Sequence, residues 1–148
     1  MCYRMEIRSE ADFVEALRAR KLKATPQRVV VYRIIRGQPR HLTAEELLAA
    51  AACELPNVSL PTVYAALGVL EEMGLVQRVL ALGGTAVYDS RLDLHQHAIC
   101  RGCGAVQDLD VEVADGDALA AASAAGFTPE RAQLTVQGLC ARCAAIPA

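Results

Sequence analysis

The stretch "LHQHAICRGCGAVQD", residues 94–108, gathers two histidines, two cysteines and an aspartate into fifteen positions of a chain that has three histidines and six cysteines in all. A second pair, Cys140 and Cys143 in "CARC", repeats the spacing of Cys100 and Cys103. Thiolates three positions apart on a knuckle can both face one ion, and two knuckles complete a tetrahedral four-thiolate zinc site. The 36 residues between the pairs exceed ordinary zinc-ribbon spacing. A strand, a helix and a returning strand must therefore bring the two ends together. Thioredoxin-like dithiol chemistry is disfavoured, because neither CxxC is expected to open a helix after a buried strand. Cys2 and Cys53 belong to no such motif and read as bystanders.

His95 and His97 need a separate account. Two apart in an extended segment, they point to the same side and can share a second ion. A mixed site joining both to Cys100 and Cys103 is an alternative that leaves Cys140 and Cys143 without a role. Surface histidines with no ligand role are another. An enzymatic reading, such as a zinc-dependent hydrolase or deaminase, fails on a specific requirement: a zinc deaminase needs a glutamate in an HxE motif as proton carrier. Here Gln96 and His97 follow His95, and neither supplies that carboxylate, so the chain is not expected to be an enzyme.

The elements that must position these residues can be read from their caps. Ser9 with Asp12 opens a first helix that ends near Arg20. Thr25 followed by Pro26 opens a second, which stops at Gly37. Thr43 with Glu46 is a full capping box for a third, "AEELLAAAA". Ser59 is expected to cap a fourth, "LPTVYAALGVLEEMG", ending at Gly74. In that helix Val63, Ala66, Leu67, Leu70 and Met73 share one face, so Tyr64, Ala65 and Gly68 point away from it. "LVQRVLALGGTAVYDS" then reads as two strands in a tight hairpin turning at Gly83 and Gly84.

Helices followed by a two-stranded hairpin make a winged helix-turn-helix with the fourth helix as groove reader. Periodicity lapses after it, and the expected organisation is a DNA-binding domain over 1–88, a hinge over 89–94 and a second domain over 95–148. The overall class is α+β. The second domain reads as strand, turn, strand, helix and returning strand, a small α/β unit. About 55 residues with so few aromatics bury too little surface to be stable alone, so a metal, a partner subunit or both are required.

Charge agrees with that division. Residues 1–40 carry ten basic and four acidic side chains, whereas residues 81–148 carry four basic and eight acidic ones. Nucleic-acid binding is thus confined to the front half. Neither a membrane span nor a signal peptide is read, and the expectation is a cytoplasmic chain whose cysteines stay reduced and free for metal.

Taken in order, "TPQR", "HLTAEEL", "SLPTVYAALGVLEEMGLV", "VYD", "HQHAICRGCGAVQDLD" and "CARC" resemble the ferric uptake regulator family of metal-responsive bacterial repressors over nearly the whole chain. The resemblance is strongest to its peroxide-sensing branch. Five positions match that branch's regulatory metal site: His41, Asp89, His95, His97 and Asp108. A glutamate is usual at the last position in the iron-uptake branch. The resemblance implies a homodimeric repressor of double-stranded operator DNA, with structural Zn(II) on the four cysteines and Fe(II) or Mn(II) on the five ligands. It also implies that peroxide oxidises His41 or His95, releasing the ion and the DNA. The alternative within the family is a nutrient sensor for iron, zinc or manganese.

For DNA, Arg18, Arg20, Lys21, Lys23 and Arg28 are candidates for phosphate contacts, and Ser59, Thr62 and Tyr64 for contacts from the fourth helix. Family members commonly carry an arginine or asparagine just after this tyrosine, where Ala65 and Ala66 stand here. Base readout is therefore expected to rest on Tyr64 against thymine methyls and on DNA shape.

Overall fold

The computed structural model describes residues 7–39, 41–80 and 82–145. Cys2 lies outside the described residues. The chain divides into two compact units, Met1–Leu80 with Thr85–Leu92, and Ala81–Gly84 with Asp93–Ala148.

In the first unit, α1 (Glu10–Ala19), α2 (Pro26–Gly37), α3 (Ala44–Ala51) and α4 (Leu60–Glu72) are joined by the strands β1 (Leu42–Thr43), β2 (Gln77–Leu80) and β3 (Ala86–Asp89). Two helices start on reciprocal capping boxes. The Ser9 hydroxyl accepts from the Asp12 N–H at 3.1 Å while the Asp12 carboxylate accepts from the Ser9 N–H at 2.9 Å. Thr43 and Glu46 repeat the arrangement at 3.1 and 2.9 Å. Each box satisfies two N–H groups that a helix start leaves without partners. Thr25 caps α2 from its hydroxyl, with Pro26 following.

Ser59 departs from expectation. It has the extended backbone of an N-cap, but its hydroxyl pairs with the Thr62 hydroxyl at 2.9 Å and makes no cap bond to the backbone. At the other end of α4, Gly74 takes φ +67°, and the Leu75 N–H reaches back to the Leu70 carbonyl at 2.8 Å. That closure needs a left-handed residue, which glycine adopts without steric cost.

The helices enclose one apolar core. Val31, Ile35, Leu47, Val63, Leu67 and Leu70 are all buried, and Phe13 of α1 stacks on Tyr32 of α2 with centroids 4.3 Å apart. On α4 the buried residues are Val63, Ala66, Leu67 and Leu70, so Tyr64 and Ala65 are left exposed. The strands form an antiparallel sheet in the order β1-β3-β2. Two corrections to the sequence reading follow. The sheet has three strands, not two, because β1 is too short to show alternation. The hairpin turn is also not tight: β2 and β3 are separated by five residues, with Gly83 and Gly84 both at φ near +80°.

The second unit contains β4 (Gln96–Cys100), β5 (Val106–Leu109), α5 (Gly116–Ala124), β6 (Thr135–Gly138) and the one-turn α6 (Ala141–Ala144). β4 is central, antiparallel to β5 and parallel to β6. Among the described residues its buried apolar side chains are only Ile99 and Cys100, and α5 buries none. Phe127 is 71% exposed, and Val111, Val136 and Leu139 are also open to solvent.

Two substitutions test this packing. Leu67→Ala removes a fully buried side chain and should destabilise the first unit by about 2–5 kcal/mol. Thr43→Ala removes one cap and should cost about 1 kcal/mol. Denaturant unfolding followed by helix signal checks both, and a midpoint unmoved by Leu67→Ala would contradict the packing of α4.

Candidate metal centres

In the first unit, sheet register places the candidate ligands. Leu42 of β1 pairs with Tyr88 of β3, so His41, the residue before β1, comes beside Asp89. The sequence reading put Asp89 at the start of the hinge; it is instead the last residue of β3, paired with Gln77. His41 Nε2 lies 3.5 Å from Asp89 Oδ2, and both side chains are less than a tenth exposed. Oδ1 of Asp89 accepts from the Arg91 N–H at 2.8 Å. Oδ2 accepts from Gln77 Nε2 at 3.2 Å, and the same nitrogen donates to the Arg91 carbonyl at 2.7 Å. Burial alone would raise the Asp89 carboxyl, but hydrogen bonds from His41, Arg91 and Gln77 outweigh it and hold the pKa down to about 2.

In the second unit, β4 carries His95 just before its start and His97 within it, and Asp108 faces His97 across the β4–β5 ladder. His95 Nε2 is 3.4 Å and His97 Nε2 3.9 Å from the same Asp108 oxygen, Oδ1. His95 and His97 are almost wholly buried, with rings edge to face 4.6 Å apart. The Asp93 carbonyl lies 2.8 Å from His95 Nδ1. A carbonyl only accepts, so Nδ1 holds the proton and Nε2 turns toward Asp108. Only a proton or a cation can sit favourably between that nitrogen and a carboxylate oxygen. Two ligand atoms each about 2.1 Å from an ion stand between about 3.0 Å apart at a right angle and about 4.2 Å when opposed, and both distances fall in that range.

The four cysteines also converge. Their sulfurs all lie within 4.8 Å of one another. Cys103 and Cys140 are 3.8 Å apart, the separation of about 3.8 Å that zinc–sulfur bonds of about 2.3 Å give at the tetrahedral angle. Backbone N–H groups of Cys140 and Gly102 donate to Cys100 Sγ at 3.3 and 3.4 Å. Donation from Cys140 above all, with Cys103 and Gly102, lowers the Cys100 thiol to about 6. Cys103 is lowered chiefly by the Ala105 N–H and next by the Arg142 guanidinium. Cys143, hydrogen-bonded to Cys103 and Cys140, is pushed up to about 12. The knuckle is tight: a Cβ on Gly102 would lie 3.1 Å from Cys143 Sγ and 3.2 Å from Leu139.

Strand parity disposes of the mixed histidine and cysteine site. His97 and Cys100 are three apart on β4 and project to opposite faces, and Cys100 groups with the other three thiols. Cys140 is the N-cap of a one-turn helix, α6. The strand before it is exposed, however, unlike the buried strand of a dithiol oxidoreductase. Gln96 is buried, its amide oxygen accepting from the Leu134 N–H at 2.6 Å. Cys53 is exposed on the turn after α3.

The candidate DNA contacts belong to neither cluster. Arg18, Arg20, Lys21 and Lys23 are exposed, Arg28 donates to the Lys23 carbonyl at 2.6 Å, and Tyr64 is 45% exposed. Ser59 and Thr62 bond to each other. The sequence reading missed Gln77, Gly102, Arg142 and the Asp93 carbonyl. Only Gln77 left a legible sign, since the hairpin register sets it opposite Asp89 once the turn length is known.

A model of the ferric uptake regulator family matches residues 19–137. The transcriptional regulator FurA of Mycobacterium tuberculosis is 36% identical over 133 residues, covering 89% of this chain and 90% of that protein. The peroxide operon regulator of Bacillus subtilis is 30% identical over 132 residues, covering 89% and 91%. Among solved structures, the Helicobacter pylori ferric uptake regulator Fur superposes with a TM-score of 0.77 over 95% of this chain and 97% of its own, at 18% identity. A zinc uptake regulator complexed with zinc and DNA superposes with a TM-score of 0.61 over 91% and 92%, at 30% identity. The chain belongs to the ferric uptake regulator family of metal-dependent transcriptional regulators.

Proposed function

We propose that the chain is a homodimeric repressor of double-stranded operator DNA that senses hydrogen peroxide through a histidine ligand of its regulatory ion. The observation that carries this reading is the convergence of two imidazole Nε2 atoms on one Asp108 oxygen. That donor set suits Fe(II) or Mn(II) and differs in kind from the thiolate cluster. The reading joins His41 and Asp89 to the triad, giving three nitrogens and two carboxylate oxygens that together neutralise a divalent charge. Cys100, Cys103, Cys140 and Cys143 hold Zn(II), closed and redox-inert.

Ligands on both sides of the segment joining the two units make the ion a clamp. In the clamped dimer the two α4 helices stand at operator spacing, so metal and DNA favour the same conformation and bind cooperatively. A coupling of about 3 kcal/mol changes operator affinity roughly 150-fold. The exposed apolar side chains of the second unit, Phe127 foremost, are the surface a second copy would cover. On α4, Tyr64 and Ala65 are exposed while Ala66 is buried, and on this reading Tyr64 contacts base edges. Arg18, Arg20, Lys21, Lys23 and Arg28 serve the phosphates.

His41, Asp89, His95, His97 and Asp108 would hold Fe(II), which would supply the electron that starts peroxide reduction. In net terms one oxygen of H2O2 enters a ring C–H of His41 or His95, and the other leaves as water. The oxidised imidazole holds the ion less well, and the clamp opens. A second reading, a sensor of iron supply, is favoured by the 37% identity to ferric uptake regulation protein 1 of Mycolicibacterium fortuitum, against 30% to the peroxide operon regulator. It uses the same ligands without the oxidation, and neither reading assigns the chain an enzymatic turnover.

Three outcomes are expected. Mass spectrometry of iron-loaded protein treated with peroxide should find one added oxygen atom on the His41 or His95 peptide, and none on manganese-loaded protein. An unmodified iron-loaded sample decides for the iron-supply reading. Tyr64→Ala should weaken a metal-dependent gel shift on the chain's own upstream DNA at least tenfold while the dimer persists in sedimentation. Gly102→Ala forces the two knuckles apart, so its zinc should yield to chelator that leaves wild-type zinc in place; equal retention contradicts the proposed zinc site.

A further inference from the structure

We infer that Gln77 is the positioning residue of the regulatory site: its amide aims one oxygen of Asp89 at the ion and ties the chain leaving β3 to the wing. The inference rests on the proposal that Asp89 is a ligand, and its geometry lies wholly within the first unit. Gln77 opens β2 and stands directly across the ladder from Asp89. Its amide nitrogen has two N–H donors, and both have an acceptor: Asp89 Oδ2 at 3.2 Å and the Arg91 carbonyl at 2.7 Å. The Arg91 N–H returns to Asp89 Oδ1 at 2.8 Å.

These bonds leave the carboxylate no rotational freedom. Oδ1 is committed to the backbone two residues on, and Oδ2 is the oxygen turned toward His41 Nε2, 3.5 Å away. The oxygen offered to an ion is therefore chosen by Gln77. The residue type fits the task closely. Asparagine is one methylene too short to span to the same two acceptors, glutamate sets a carboxylate against a carboxylate, and an apolar side chain offers no donor. The Arg91 carbonyl lies in the segment that leaves the sheet for the second unit. One amide thus fixes both the ligand and the direction in which the chain departs, so that a change at Asp89 is felt in the connection. Partners of this kind, one shell outside a metal, typically alter metal affinity 10- to 100-fold when removed, a range of about that size.

The test uses full-length zinc-loaded protein and Mn(II), whose uptake is followed by loss of the free aqua ion's paramagnetic resonance signal. Gln77→Met keeps the length of the side chain and deletes both donors. It should weaken Mn(II) binding by about 10- to 100-fold, with zinc content and unfolding midpoint equal to wild type. Co(II) in the same site should show a changed visible spectrum in Gln77→Met, reporting an altered ligand field. Gln77→Glu should bind Mn(II) no better than Gln77→Met, and wild-type affinity in Gln77→Glu would overturn the donor role. Asp89→Ala separates the two levels of the argument. If Asp89→Ala loses Mn(II) and Gln77→Met does not, the inference fails alone; if Asp89→Ala binds as wild type, the ligand assignment beneath it fails. Loss of affinity in Gln77→Met accompanied by lost zinc or a lower midpoint marks a general structural residue and also overturns it.

Discussion

A carboxylate removed from water is tolerated only when donors or a cation answer its charge, and the rest of the proposed switch depends on how Asp89 meets that demand. The answer is built from register. β1, β3 and β2 lie side by side, so His41, Asp89 and Gln77 fall in one row across three strands. Bonds from that row and from Arg91 overcome the effect of burial and keep the carboxyl near a pKa of 2. The sign of the linkage follows. A group depressed in the folded state stabilises the fold above its unfolded pKa, about 3.9, and the contribution is lost only as pH falls toward 2. At neutral pH the charge is permanent. A standing negative charge in a buried position favours whatever cation can reach it, and proton concentration is not the variable that controls it.

The second unit meets a different constraint. Its central strand is buried at every position but Ala98, yet only Ile99 and Cys100 of those side chains are apolar, and α5 buries none. Hydrophobic burial within one chain cannot offset the entropy of ordering more than fifty residues on that scale. The thiolate cluster supplies a local cross-link in place of a core: it joins the turn after β4 to the end of β6, about forty residues away in sequence. Its geometry is supported by N–H groups aimed at Cys100 and by a glycine that lets the two knuckles approach closely. Phe127, Val111, Val136 and Leu139 are left exposed to solvent.

Much of this was legible in sequence because caps and ligand spacings are local. Ser9, Thr25 and Thr43 announce their helices within three residues, and CxxC is its own signature. What escaped reading was non-local. β1 has two residues, too few for alternation, and becomes a strand only because β3 lies beside it. The wing turn read as tight because two glycines suggest a two-residue loop, while ladder pairing of Leu80 with Ala86 sets five residues between the strands. Ser59 looked like a cap, but a hydroxyl three residues on competes for its bond. Asp89 is a ligand candidate through the family resemblance, whereas its partner Gln77 is visible only once the register is known.

β4 also keeps two donor sets of unlike chemistry apart within one small unit. Alternation along the strand sends His95 and His97 to one face and Cys100 to the other. The thiolates, the more easily oxidised groups in the unit, face away and would be closed around an ion that takes no part in electron transfer. In the proposed mechanism that separation matters more than the affinity of either site. An oxidant generated on the histidine face meets an imidazole before it meets sulfur, so the signal can disable one ligand set while the cross-link that keeps the second unit folded survives to be read again.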